Sequence, residues 1–422
     1  PGSARRLRAM SSAAIALGGN VVVSTRKLQT LPQLLGAASL IALSGQVVAG
    51  AKIAVDDTHW VSVGAGIKTS FSAVEDGANG GEDWSKSFAV NNMRLYLSGQ
   101  VHKYVKLVFN TDLIGACTNC GPDPDQQSDL EVFLLDAMAQ FEFMPGFNIW
   151  MGRMLTPADR IEMNGPFYSL NWNQYTVPLF PSDQVNNLAG KFGRDDGITV
   201  WGTVGHFQYA VGAFDGYNGA SNDKDSLLYA ARLAYNFLNL EQNPGYYTSG
   251  TYYGGLGNVF TLGFVVQHQT DGAGTDFEAA DFTGYVVDVL WEQLIGEHVM
   301  TIDGEYKVFD TDLSSAARMA AGDCFCLFDG DSWFGTFAWL FPAEVGVGKF
   351  QPYVRYTSTS PDDYADDSDL LEVGLNYVIR SHNAKVTLSY TNGDANLTGE
   401  PGEAGSPFQD GSAILLGAQV QI

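Results

Sequence analysis

The feature that most constrains the fold is a double alternation running from about residue 60 to the end of the chain. Within each short stretch, apolar and polar side chains alternate; between stretches, short and long links alternate. Met93, Leu95, Leu97 and Val101 fall on one face of a stretch whose other face holds Arg94, Tyr96, Ser98 and Gln100. Tyr285, Val287, Val289 and Trp291 oppose Asp288 and Glu292, and Met300, Ile302, Tyr306 and Val308 oppose Thr301, Asp303, Glu305 and Lys307. A period of two is the signature of a β-strand. Sixteen strands are predicted, near 60–73, 86–101, 103–113, 130–143, 147–155, 195–203, 206–214, 226–238, 257–269, 281–293, 297–309, 332–341, 350–359, 369–379, 384–391 and 412–422.

Alternation alone does not separate a soluble sheet, with its apolar face inside, from a membrane barrel, with its apolar face toward lipid. The links do. Short turns follow the even-numbered strands, as at His102-Lys103, Met144-Pro145-Gly146, Val204-Gly205, Ile295-Gly296 and Ser381-His382. Long loops rich in Asp and Gly follow the odd-numbered ones. A barrel of the bacterial outer membrane sorts its links in this way, with short periplasmic turns and long external loops. The expected fold is therefore all-β, an antiparallel transmembrane β-barrel of about 16 strands with both termini periplasmic. One link misfits: 239–256 falls where a short turn belongs, an excess the pattern explains only by misplaced strand edges.

The first fifty residues carry Arg5, Arg6, Arg8, Arg26 and Lys27 and no acid, then an apolar run from Leu34 to Leu43 and small residues at Val47 and Ala49, with cleavage expected near Ala49 or Ala51. This is the layout of a secretory signal, so 1–50 is expected to be upstream sequence plus signal peptide and 51–422 the barrel. Beyond residue 50 the chain holds 18 basic and 47 acidic residues, a net charge of −29. Such a balance excludes nucleic acid as a partner. Much of the acid lies in the long loops, as at Asp362, Asp363, Asp366, Asp367 and Asp369, where it suits divalent ions bridged to lipopolysaccharide. Outer-membrane lipid and small ions or solutes are the other expected partners.

Parity assigns the lumen. Its basic lining is expected to be Lys68, Arg94, Lys106, Arg232, Lys307, Arg355 and Lys385, and its acidic lining includes Asp288, Asp303, Glu305 and Glu372. Charge of both signs in similar number hydrates a wide pore rather than selecting one ion. The link after the fifth strand, about 156–194, is too long for a simple connection. Pro157 and Pro166 prevent strand continuation there, and Ile161, Met163, Phe167 and Tyr168 give it an apolar side. It is expected to fold into the pore as a constriction lined by Arg153, Asp159, Arg160 and Glu162, with Ile149 and Met151 turned inward beneath it.

Cys117, Cys120, Cys324 and Cys326 lie on predicted external loops and are candidates for disulfides in an oxidising compartment. A Cys-x-Cys pair is not a zinc spacing, and neither metal nor cofactor is expected. No residue pattern suits catalysis, so an enzyme is not expected.

"NNMRLYLSGQVHKYVKLVFNTD", "DAMAQFEFMPGFNIWMGRMLTPADR" and "GITVWGTV" with "FQYAVGAFDG" resemble the phosphate-selective porin O/P family. The resemblance implies sixteen strands, a homotrimer, a third external loop folded inward, and passive diffusion of small hydrophilic solutes or ions, including anions such as phosphate, along lumenal arginines and constriction lysines. Arg153 matches that pattern in kind, but between Thr156 and Leu188 the only cation is Arg160, beside Asp159, Glu162 and Asp183. A phosphate site wants several converging cations, so a small-solute filter suits the loop better than a phosphate trap. Related barrels also sheath electron-transfer partners. A covalent haem would need Cys-x-x-Cys-His, and "CTNCGP" lacks the His.

Overall fold

Sixteen antiparallel strands close on themselves. They are β1 (Trp60–Val74), β2 (Ser85–His102), β3 (Val105–Ile114), β4 (Glu131–Met144), β5 (Phe147–Leu155), β6 (Arg194–Val204), β7 (Phe207–Phe214) and β8 (Leu228–Asn236). The second half comprises β9 (Val259–Thr275), β10 (Glu278–Ile295), β11 (His298–Asp310), β12 (Gly330–Leu340), β13 (Gly348–Pro361), β14 (Ser368–Arg380), β15 (Ala384–Gly393) and β16 (Gly411–Gln421). Each pairs with the next, and β16 returns to β1 with Gln419 opposite Lys68 and Gln421 opposite Gly66. Two short ribbons, Ala51–Ala54 against β1 and Glu344–Val345 against β13, lie outside this count. The structure is a computed structural model that describes residues 51–78, 83–114, 131–174, 177, 193–216, 222, 224–275, 278–311, 329–362, 367–393 and 411–422. All of these lie in the unit Ser44–Ile422.

The alternation places apolar side chains outside. Tyr285, Val287 and Trp291 are 40–50% exposed while Asp288 and Glu292, between and beside them on β10, are at most 1% exposed. The same inversion holds on β15, where Leu388 and Tyr390 face out and Lys385, Thr387 and Ser389 face in. A soluble sheet would reverse these assignments. Near the short-turn end, outward aromatic side chains pack in series, Tyr104 on Phe143 and Phe143 on Phe147, and Tyr235 on Phe237 and Phe237 on Phe260. This is the aromatic girdle of a membrane barrel at its interface with lipid headgroups.

Inside, the wall is not uniformly polar. Met138, Trp150, Met154, Phe214, Phe282, Val286 and Phe309 form one apolar patch, and Leu155, Ala158 and Met163 from the chain after β5 pack on it. The inner face thus carries an oily seat for an inserted segment, beside polar walls.

Candidate functional site

After Leu155 the chain turns inward. Thr156 still bonds Gly193 across the mouth of the loop, then Pro157 and Ala158 lead into a short helix, α1 (Arg160–Tyr168). Asp159 caps it, its carboxylate accepting from the Glu162 amide at 2.9 Å, as expected for an Asp three residues before a Glu. Gly165 breaks the helix with φ 59°, and Pro166 follows. Such a backbone conformation favours glycine. The constriction loop inferred from sequence is therefore partly helical, and its described part, 156–174, lies within the barrel.

Two walls hold this loop by different chemistry. Along β8–β11, Arg232 donates to the Ala158 carbonyl at 3.1 Å and Gln267 to the Pro157 carbonyl at 3.0 Å. Lys307 pairs with Asp159 there, and with Glu305 on its own strand. Arg160 reaches across to Asp288, which Arg232 also grips. On the opposite wall the loop presents backbone carbonyls. Lys68 donates to Pro166 and Trp172, Gln419 to Phe167, and Lys385 to Ser169 and Leu170, at 2.7–3.3 Å. Asn376 and Arg355 continue the series to Leu170 and Asn173. Two aromatic rings seat in holes left by glycines: Phe167 over Gly66 and Trp172 over Gly417. Arg94 stacks on the first ring and Lys68 on the second.

The misfitting link 239–256 supplies the other half of the filling. The strand edges around it, Asn236 and Val259, are within two residues of those predicted; the extra length turns back into the barrel from the short-turn end. Glu241 forms a two-pronged ion pair with Arg160, both oxygens at 2.8 Å, with side chains 1% and 3% exposed. Burial alone would raise the Glu241 carboxyl, but the Arg160 guanidinium outweighs it and holds the group below its usual range. Thr248 donates to the Met163 and Arg160 carbonyls and Gly250 to Tyr168. Tyr246 and Tyr247 join Trp150 and Trp201 in an aromatic cluster with ring centres 5.2–6.4 Å apart. At the far end His382, in the β14–β15 turn, bonds the Thr251 carbonyl at 2.8 Å and Ser249 at 3.0 Å. Burial, and then the charge of Lys385, push its imidazole down to about 3. Glu292 accepts from Thr251, Tyr252 and Gly254.

The residues assigned to the lumen by parity all point inward. Lys68, Arg94, Arg232, Asp288, Asp303, Glu305, Lys307, Arg355, Glu372 and Lys385 are no more than 5% exposed, and Lys106 pairs with Glu142 on the same face. Most are ion-paired: Arg94 with Asp112 at 2.7 Å, Arg355 with Glu372 at 2.9 Å, and Arg232 with Asp288. Asp159, Arg160 and Glu162 lie at the loop's core. Arg153 does not join them. The inward residues of β5 are Asn148, Trp150 and Met154, so Met151, 53% exposed, and Arg153 belong to the outer face, and Ile149 shares their parity. There Arg153 pairs with Asp196 at 2.7–2.8 Å, both partly exposed. Turning Ile149 and Met151 inward would put Trp150 outside, whereas it is the floor on which Tyr246 and Tyr247 sit. Sequence reasoning also missed α1 and the whole contribution of 239–256. The Asp159-x-x-Glu162 spacing and the aromatic run at 246–253 were the available signals. The four cysteines lie outside the described residues.

No family model matches this sequence, and no curated protein does either. Solved structures do resemble it in fold. An anion-selective porin from Comamonas acidovorans is 14% identical with a TM-score of 0.54, the match covering 86% of this chain and 99% of that one. OmpT, an outer membrane protein of Vibrio cholerae, in its trimer form, is 14% identical with a TM-score of 0.53, covering 87% and 100%. OmpF of Salmonella typhi in complex with daunomycin is 11% identical with a TM-score of 0.52, covering 88% and 100%. The chain thus shares the porin-type barrel.

Proposed function

We propose that the protein is an outer-membrane porin through which small hydrophilic solutes or ions diffuse passively, with the segment near Asp159, Arg160 and Glu162 as its constriction. The observation that carries this reading is the inverted barrel: an apolar belt outside, and inside a charged wall crossed by a loop that the wall grips at both ends. The fold shared with an anion-selective porin and with OmpF supports it. Residues 1–50 act as upstream sequence and export signal, 51–422 form the barrel, and the termini lie on the periplasmic side with the short turns. Membrane lipid and lipopolysaccharide surround it, and a trimer like that of the Vibrio OmpT form is the expected assembly.

Inner charges are mostly neutralised by partners of opposite sign, and paired charges select weakly between ions. Lys68 and Lys385, which spend their charge on loop carbonyls, are the residues that would favour anions such as phosphate, in line with the resemblance to the phosphate-selective O/P family. Purified protein in a planar bilayer under a KCl gradient tests this reading. Stepwise conductance with a small reversal potential is expected; absence of steps at any protein concentration refutes the channel.

A further inference from the structure

Among the buried side-chain atoms that the described residues leave without a hydrogen bond, three form a row across neighbouring strands of the inner face. In the sheet register Asp303 of β11 lies opposite Thr336 of β12, and Thr336 opposite Arg355 of β13. At a strand spacing of about 4.8 Å the row is roughly 10 Å long. The three residues are 5%, 2% and 1% exposed. Yet Asp303 Oδ1, Thr336 Oγ1 and Arg355 Nε have no hydrogen-bond partner among the described residues. Arg355 engages Glu372 and the Asn173 carbonyl through Nη2 alone.

The inserted loop packs on the middle strand of the row. It touches β12 on either side of Thr336: Ile161 packs against Phe334, and Leu170 against Ala338. It also reaches Arg355 through the Asn173 carbonyl at 2.6 Å, yet satisfies none of the three atoms. Buried polar atoms left unpaired cost about 1–3 kcal/mol each, and a native structure keeps them where water or a ligand completes them. The chemistry of the row specifies that ligand. A carboxylate at one end accepts from an ammonium; a guanidinium Nε at the other donates to a carboxylate; the hydroxyl between can do either. A simple cation or anion completes one end only.

We propose that Asp303, Thr336 and Arg355 form a recognition subsite for small zwitterions, of which free amino acids are the simplest class. Charge-assisted hydrogen bonds at both ends and about 2.8 Å long fit a short ligand within the row. The subsite rests on the channel reading and names the solute class for it.

The test is uptake by liposomes carrying the full-length protein, with glycine as the zwitterion and glycerol, ethanolamine and glycolate as neutral, cationic and anionic controls of similar size. Glycine uptake is expected to saturate, and glycine to reduce KCl current, while the three controls do neither. Asp303→Asn and Thr336→Val are near-isosteric and break no hydrogen bond of Asp303 Oδ1 or Thr336 Oγ1. Each is expected to weaken half-saturation by glycine roughly tenfold, as for loss of one hydrogen bond to a charged group. Arg153→Gln, on the outer face, should leave saturation in place. Wild-type protein that conducts KCl but passes glycine like glycerol, without saturation, overturns the subsite and leaves the channel standing. Equal saturation by ethanolamine or glycolate overturns it too, since one charge then suffices. Absence of KCl conductance removes both readings together. Folded Asp303→Asn and Thr336→Val proteins that saturate with glycine as the wild type does overturn the subsite as well, and if one variant fails to fold the other carries this arm.

Discussion

Glu241→Gln is the most informative single substitution, because it strikes the one ion pair that, among the described residues, ties the two inserts together. Arg160 and Glu241 share two hydrogen bonds of 2.8 Å, with both side chains nearly fully buried. Removing one partner of a buried pair costs about 3–5 kcal/mol when it strands the other charge. Here Arg160 keeps Asp288 at 3.3 Å and the Ser249 carbonyl at 3.1 Å, and glutamine keeps an acceptor for Tyr252. The loss should then be about 2–3 kcal/mol, which lowers the docked-to-released ratio of the 239–256 link roughly 30- to 150-fold. Single-channel recording reads this as larger or more frequent openings, and thermal unfolding as a lower Tm. Adding Arg160→Gln should cost less than the sum of the two single changes, since the partners fall together. Glu241→Gln protein with wild-type openings and an unchanged Tm would refute the idea that the pair holds the inserts.

Other expectations follow from the same geometry. A Cβ at Gly417 would sit 2.5 Å from Trp172, so Gly417→Val should displace that ring at a cost of about 1–3 kcal/mol, seen as a shift in tryptophan fluorescence and a lower Tm. Arg153→Ala removes a partly exposed pair worth about 0.2–1 kcal/mol and should leave unit conductance as it was; a marked change would return Arg153 to the pore. His382 has a folded pKa of about 3 against an ordinary value of 6.5, so its contribution is intact above pH 6.5 and declines as pH falls from there toward 3. Conductance should rise over that window, and His382→Gln should flatten the response; a wild-type profile already flat between pH 7 and 4 contradicts the role given to His382.

The barrel was legible because a lipid-facing wall repeats every second residue and its links are sorted by side, and both traits survive in plain sequence. Sixteen expected strands match the sixteen found, and inward charges such as Lys68, Asp288 and Lys385 were readable from parity. Parity fails where inside and outside are both apolar. Trp150 and Met154 face an inserted loop rather than lipid, so β5 gave no clue to its own orientation, and Arg153 went to the wrong face. The loop itself was recognised by its prolines and length. Its grip was not, because Lys68, Lys385 and Gln419 bond backbone carbonyls, which carry no residue-specific mark. The link 239–256 announced itself only as an anomaly. Its partners, Arg160 and Glu241, stand 81 residues apart, a pairing that no local pattern encodes.

On the proposed function the barrel conducts through an interior narrowed from both ends, by the loop after β5 and by the link after β8. The most direct test is unit conductance in KCl of the wild-type protein beside a variant in which 240–255 is replaced by a two-residue turn. Small steps are expected for the wild type and distinctly larger steps once the link is gone. Steps of equal size in both proteins, or none in either, would contradict this reading.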